Sequence, residues 1–141
     1  MNDSTWTWIS GSDVVDDTSS PNVPHAREGA IGWFDSTNQE FWLFGGEFDY
    51  GTTYYNELWR YQVNDDLWTK MSGSEEPNSP GVYGNKGITT VGSIPGGRAF
   101  SAGYYDSTRQ EFWLFGGHGF DGDNNEGASS FYHLKQQNTH C

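Results

Sequence analysis

The chain has 141 residues; 33% are hydrophobic, aromatics make up 17% of the total, and the formal net charge is −12. With only seven Lys and Arg it lacks the cationic clusters that a nucleic-acid backbone or an anionic membrane surface requires, so neither is expected as a partner. The length suits one domain, no run of 18 apolar residues reads as a membrane span, and a single cysteine, Cys141, leaves no intrachain disulfide or thiolate metal site.

Met1-Asn2-Asp3-Ser4 carries neither a basic region nor an apolar run, so no signal peptide is read and the cytoplasm is the default expectation. Aliphatic core formers are scarce, so Trp, Tyr and Phe must supply the burial, at about 150–250 Å² each. With 19 glycines, that points to short strands and tight turns. Residues 6–9, with Trp6, Trp8 and Ile9, read as a first strand. Residues 29–34 read as the next, ended by the turn-forming Asp35-Ser36-Thr37-Asn38. Residues 40–44 follow, with Trp42 and Phe44 on one face and Phe41 and Leu43 on the other, a strand covered on both sides. Gly45-Gly46 closes it, suited to positive φ or to close approach of a neighbouring backbone. Residues 47–55 read as a loop, 58–63 as a strand with Trp59, Tyr61 and Val63 on one side, Asn64-Asp65-Asp66 as a turn, and 67–71 as a strand led by Trp68. Four antiparallel strands in succession describe one up-and-down sheet.

The same unit recurs. Phe41-Trp42-Leu43-Phe44-Gly45-Gly46 is repeated letter for letter at 112–117, an offset of 71, and 14 of 23 positions are identical between 24–46 and 95–117. Residues 6–12 match 68–74 at five of seven positions with an offset of 62. The nine-residue difference falls between Ser74 and Pro95, which marks an insertable surface loop.

An Arg before the first strand, a double glycine ending the second, and a Tyr and a Trp about seven positions apart resemble the kelch repeat, and Arg27, Gly45, Gly46, Tyr61 and Trp68 fill those places. The second copy keeps Arg98, Gly116, Gly117 and Tyr132, but Thr139 stands where Trp68 would. The resemblance implies an all-β fold of kelch-type β-propeller blades, about two of them, in an incomplete ring. On that frame residues 1–12 are the fourth strand of a preceding blade, 24–74 a complete blade, 75–94 an inter-blade insertion, 95–134 a second blade lacking its fourth strand, and 135–141 an irregular tail. Propellers close with about 4–8 blades. Either further kelch blades lie in a longer chain, or copies self-associate to close a ring, for example three copies of two blades each.

The connections after strands two and four, residues 47–55, 72–95 and 118–127, are expected on one rim. The candidate partner-binding residues there are Glu47, Asp49, Tyr50, Tyr54, Tyr83, His118, Phe120, Asp121 and Asp123, an acidic and aromatic set facing a protein partner. The repeated aromatics are expected in the core, and Arg27 and Arg98 on neighbouring carbonyls or carboxylates. Asp121-Gly122-Asp123-Asn124-Asn125 begins like a Ca²⁺ loop, but Glu126 replaces the turn glycine and Tyr132 stands at the twelfth position. His25, His118, His133 and His140 show no ligand spacing, so no metal, cofactor or catalytic residue is expected. The function expected is a non-catalytic kelch-repeat interaction module. The alternative is a fragment of a propeller enzyme such as a galactose-oxidase-like carbohydrate oxidase, whose cysteine Cys141 does not match.

Overall fold

Short strands and no helix make up the described residues, 4–14, 22–122 and 131–135, of the computed structural model. Among them, therefore, no helix is long and apolar enough to cross a membrane. The first half holds β1 (Ile31–Asp35), β2 (Glu40–Phe44), β3 (Glu47–Phe48), β4 (Thr53–Tyr54), β5 (Leu58–Gln62) and β6 (Leu67–Ser72). The second holds β7 (Arg98–Ala99), β8 (Ala102–Asp106), β9 (Glu111–Phe115), β10 (His118–Gly119) and β11 (Phe131–Lys135). β1, β2, β5 and β6 form a four-stranded antiparallel sheet in chain order; β8, β9 and β11 form a three-stranded one. Two small antiparallel pairs, the hairpin β3 with β4 and the non-consecutive strands β7 with β10, complete the pairing.

Each sheet is started by the same turn chemistry. Asp35 Oδ1 accepts the backbone N–H of Thr37 at 2.9 Å, and Asp106 Oδ1 accepts that of Thr108 at 2.9 Å. Gln39 (φ 56°) and Gln110 (φ 55°) then turn the chain back through the left-handed region. Asp35 is fully buried, and burial alone would raise its pKa; hydrogen bonding from Asn38, the Tyr105 hydroxyl beside it and the N–H groups of Thr37 and Asn38 hold it below the usual carboxylate value.

Of the doubly apolar β2, the face of Trp42 and Phe44 is buried between the sheets, whereas Phe41 and Leu43 on the other face are only half-buried beside the exposed Phe34, so the strand is not covered on both sides as its pattern predicts. Ile31, Trp33, Trp42, Phe44 and Leu58 share one face of the first sheet, which packs on Phe112 and Leu114 of the second. Phe112 is the centre of the joint, its ring 5.3 Å from Trp33 and 5.1 Å from Trp42, while Tyr105 stacks behind it at 4.8 Å. Burying such a ring contributes roughly 1.5–3 kcal/mol. Gly103 makes the approach possible, since a Cβ there would overlap Ile31 and Trp33. On the opposite face of the first sheet, Phe41, Tyr61 and Trp68 pack edge to tilted ring, at 6.2 Å and 5.2 Å from Trp68.

The backbone also joins the sheets. Gly46 N donates to Arg98 O (2.8 Å), Arg98 N to Tyr55 O (3.0 Å) and Phe100 N to Gly29 O (2.8 Å). The double glycine has two reasons to exist. Gly45 (φ 68°) and Gly46 (φ 100°) need positive φ, and a Cβ on Gly45 would run into the Arg98 carbonyl.

Three elements differ from the sequence reading. The first strand of the sheet begins at Ile31, because Gly29 (φ 63°) turns the chain and Glu28 bridges to Glu47. The loop 47–55 contains the β3–β4 hairpin, tipped by Asp49, Tyr50 and Gly51 at positive φ. Residues 6–9 form no strand; Ser10 instead accepts a hydrogen bond from Trp68 Nε1 at 3.0 Å.

Candidate functional site

Both repeat arginines are clamps for the loops that leave the sheets. Arg27 donates through Nε to His25 O (3.0 Å) and through Nη1 to Gly45 O (3.1 Å); Arg98 does the same to Gly96 O (3.1 Å) and Gly116 O (2.9 Å). The third contact differs. Arg27 Nη2 pairs with Glu57 Oε2 at 2.8 Å, a carboxylate that also accepts Trp59 Nε1 (3.0 Å), whereas Arg98 Nη2 donates to Phe120 O at 3.0 Å. The residue 71 positions after Glu57 is Ala128, which has no carboxylate to offer. Each guanidinium also covers a tyrosine ring, Arg27 over Tyr55 at 4.2 Å and Arg98 over Tyr132 at 5.5 Å. Burial raises the Tyr55 pKa; Arg27 opposes this and Glu57 adds to it.

From these clamps the three expected loops converge. Tyr54, at the end of β4, is 2% exposed, and its hydroxyl shares a 2.6 Å hydrogen bond with His118 Nδ1 of β10. Its ring meets Phe120 edge-on at 5.9 Å. Asn78, from the insertion, locks the same point: its N–H donates to Tyr54 O (2.7 Å), its Oδ1 accepts Tyr54 N–H (2.7 Å) and its Nδ2 donates to Thr52 O (2.9 Å). Further along, Gly81 N donates to Asp121 O at 3.0 Å and the Tyr83 ring lies 5.8 Å from Tyr132.

The expected binding residues thus separate by burial. Glu47 (7% exposed) and Tyr54 lie inside the loop cluster, where no partner reaches them, because β3 and β4 fold their side chains inward around Gly51. Phe120 and Asp121 are half-buried and serve the cluster through their backbone carbonyls. Asp49, Tyr50, Tyr83 and His118 remain exposed, Tyr50 at 95%. Asp123 and the rest of the acidic stretch through Glu126 lie outside the described residues, as do Thr139, His140 and Cys141. Asn56, Glu57 and Asn78 were missed from the sequence. Asn56 is buried, and its Oδ1 accepts Ser74 N–H at 2.8 Å. None of the three lies in the duplicated 24–46 stretch, so the repeat gave them no signal; buried loop polar groups that satisfy backbone are found only by tracing hydrogen bonds. Among the described residues no three His, Cys, Asp or Glu side chains are grouped as a metal site would need.

No family model matches the chain, and no curated protein matches it.

Proposed function

We propose that the chain is built of kelch-type β-propeller blades and acts as a non-catalytic interaction module, binding a protein partner through the loops after strands two and four. The observation that carries this reading is the convergence of residues 47–55, 78–83 and 118–121 on Tyr54. Three connections of different sheets are fixed there by hydrogen bonds and ring contacts, while Asp49, Tyr50, Tyr83 and His118 stay exposed on them. Loops held on a rigid scaffold bind without first being ordered, which lowers the entropic cost of association. The exposed set is aromatic and acidic on a chain of net charge −12, which suits a partner surface carrying Lys or Arg beside apolar side chains.

The test is binding of the labelled chain to an array of Lys- and Arg-containing peptides. A Tyr50→Ala, Tyr83→Ala, Asp49→Asn variant is expected to lose at least about tenfold in affinity, some 1.4 kcal/mol, for every peptide bound. Unchanged binding by that variant, with its thermal unfolding intact, rejects the rim.

A further inference from the structure

Two exposed faces of the sheets are repeat images of the two faces that pack together. The buried face of the first sheet carries Ile31, Trp33, Trp42 and Phe44; 71 positions on, in the same register, the second sheet carries Ala102, Tyr104, Trp113 and Phe115. Trp33 is 7% and Phe44 6% exposed, whereas Tyr104 is 68% and Phe115 55% exposed. Ala102, Tyr104, Trp113 and Phe115, with Gly103 and Asp106, line an open and largely apolar depression of about 530 Å³. Conversely, Gly103, Tyr105, Phe112 and Leu114, which cover the first sheet, have Gly32, Phe34, Phe41 and Leu43 as counterparts on its other face, with Phe34 exposed. The glycine latch is repeated too. Gly116 (φ 66°) and Gly117 (φ 90°) hold the conformation of Gly45 and Gly46, and a Cβ on Gly116 would point into open space where one on Gly45 would meet the Arg98 carbonyl.

We propose that the exposed face of the second sheet docks a second copy of this chain, head to tail, against the Gly32, Phe34 and Phe41 face of that copy's first sheet. The contact reproduces the internal joint, with the neighbour's Arg27 carbonyl taking at Gly116-Gly117 the place of Arg98 at Gly45-Gly46. Residues 6–12 fit the same joint. They stand before the first sheet as 68–74 stand before the second, they form no strand, and Trp6 is fully exposed. Ser10 holds them over Trp68, which shares a face with Phe34, Phe41 and Tyr61. Beside β11, the edge of the second sheet, they supply to the neighbour the strand that β6 supplies to the first. Unlike faces meet, so the assembly closes as a ring or runs on as a filament according to the rotation per copy.

Sedimentation of the full chain tests this. Wild type is expected to self-associate, while Tyr104→Asp and Phe34→Asp each sediment as the 15.8 kDa monomer with an unchanged circular dichroism melt. Mixed, the two variants are expected to form one species of twice that mass and nothing larger, because each retains only one working face. Ala102→Arg replaces Tyr104→Asp if the latter does not fold. A wild type that stays monomeric at every soluble concentration, association that survives either variant, or a mixture that remains monomeric overturns the proposal.

Discussion

Phe100 sits at φ 57°, in the left-handed region where Gly29, its counterpart 71 positions earlier, sits at φ 63°. A bulky side chain pays steric strain there, about 1–2 kcal/mol, because its Cβ crowds the following carbonyl oxygen. The strain persists because Phe100 N–H is anchored on Gly29 O at the sheet joint, so the conformation is imposed from outside the residue. Its ring is mostly exposed, so little burial is lost on removing it. Phe100→Gly is therefore expected to stabilise the fold by about 0.5–1 kcal/mol, the strain relieved less the extra entropy that glycine adds to the unfolded chain. Phe100→Val, whose branched Cβ crowds more, is expected to destabilise. Urea unfolding midpoints check both, and a lower midpoint for the glycine variant contradicts the assignment of strain.

The two arginine clamps act on whole elements, since each ties the residues before a sheet to the double glycine after its second strand. Lysine cannot replace them: one ammonium on a flexible stem does not span the three carbonyls that the Arg98 guanidinium reaches at fixed angles. Arg98→Lys is expected to cost about 2–3 kcal/mol through buried carbonyls left without donors, and to loosen residues 116–121 first, because Phe120 O has lost its donor. Hydrogen exchange checks the order; uniform loss of protection over both sheets counts against the clamp. The clamps were legible beforehand, as were the strands of the four-stranded sheet, because both recur and the strands alternate between turn-forming residues. Other features were not. The inward folding of Tyr54 depends on Asn78 and His118, 24 and 64 residues away. Residues 6–9 have strand composition, yet a strand exists only with a partner edge, and sequence alone does not say where that edge lies.

Across the molecule, the joint between the sheets couples stability to pH through Tyr105 and Asp35. Asp35 belongs to the first sheet and Tyr105 to the second, and the buried tyrosine hydroxyl, which has no well-formed hydrogen bond, lies close enough to the carboxylate to feel its charge. Burial, and then Asp35 with help from Glu40 and Asp106, pushes the Tyr105 pKa well above its ordinary value of 10.0, since ionisation would set a phenolate beside a buried carboxylate. A folded pKa above the unfolded one means that the neutral hydroxyl binds its proton more tightly in the folded state. Its contribution is complete below pH 10 and is lost progressively as the pH climbs above that value. Wild type is therefore expected to lose stability as the pH rises above 10, with Tyr105→Phe losing distinctly less, because phenylalanine keeps the stacking on Phe112 and cannot ionise. Every other residue is common to the two proteins, so the difference between the two urea midpoints at each pH isolates this residue. Parallel losses in the two proteins would mean that the hydroxyl does not face Asp35 across the joint, and the packing of the second sheet on the first would have to be redrawn around a different pair.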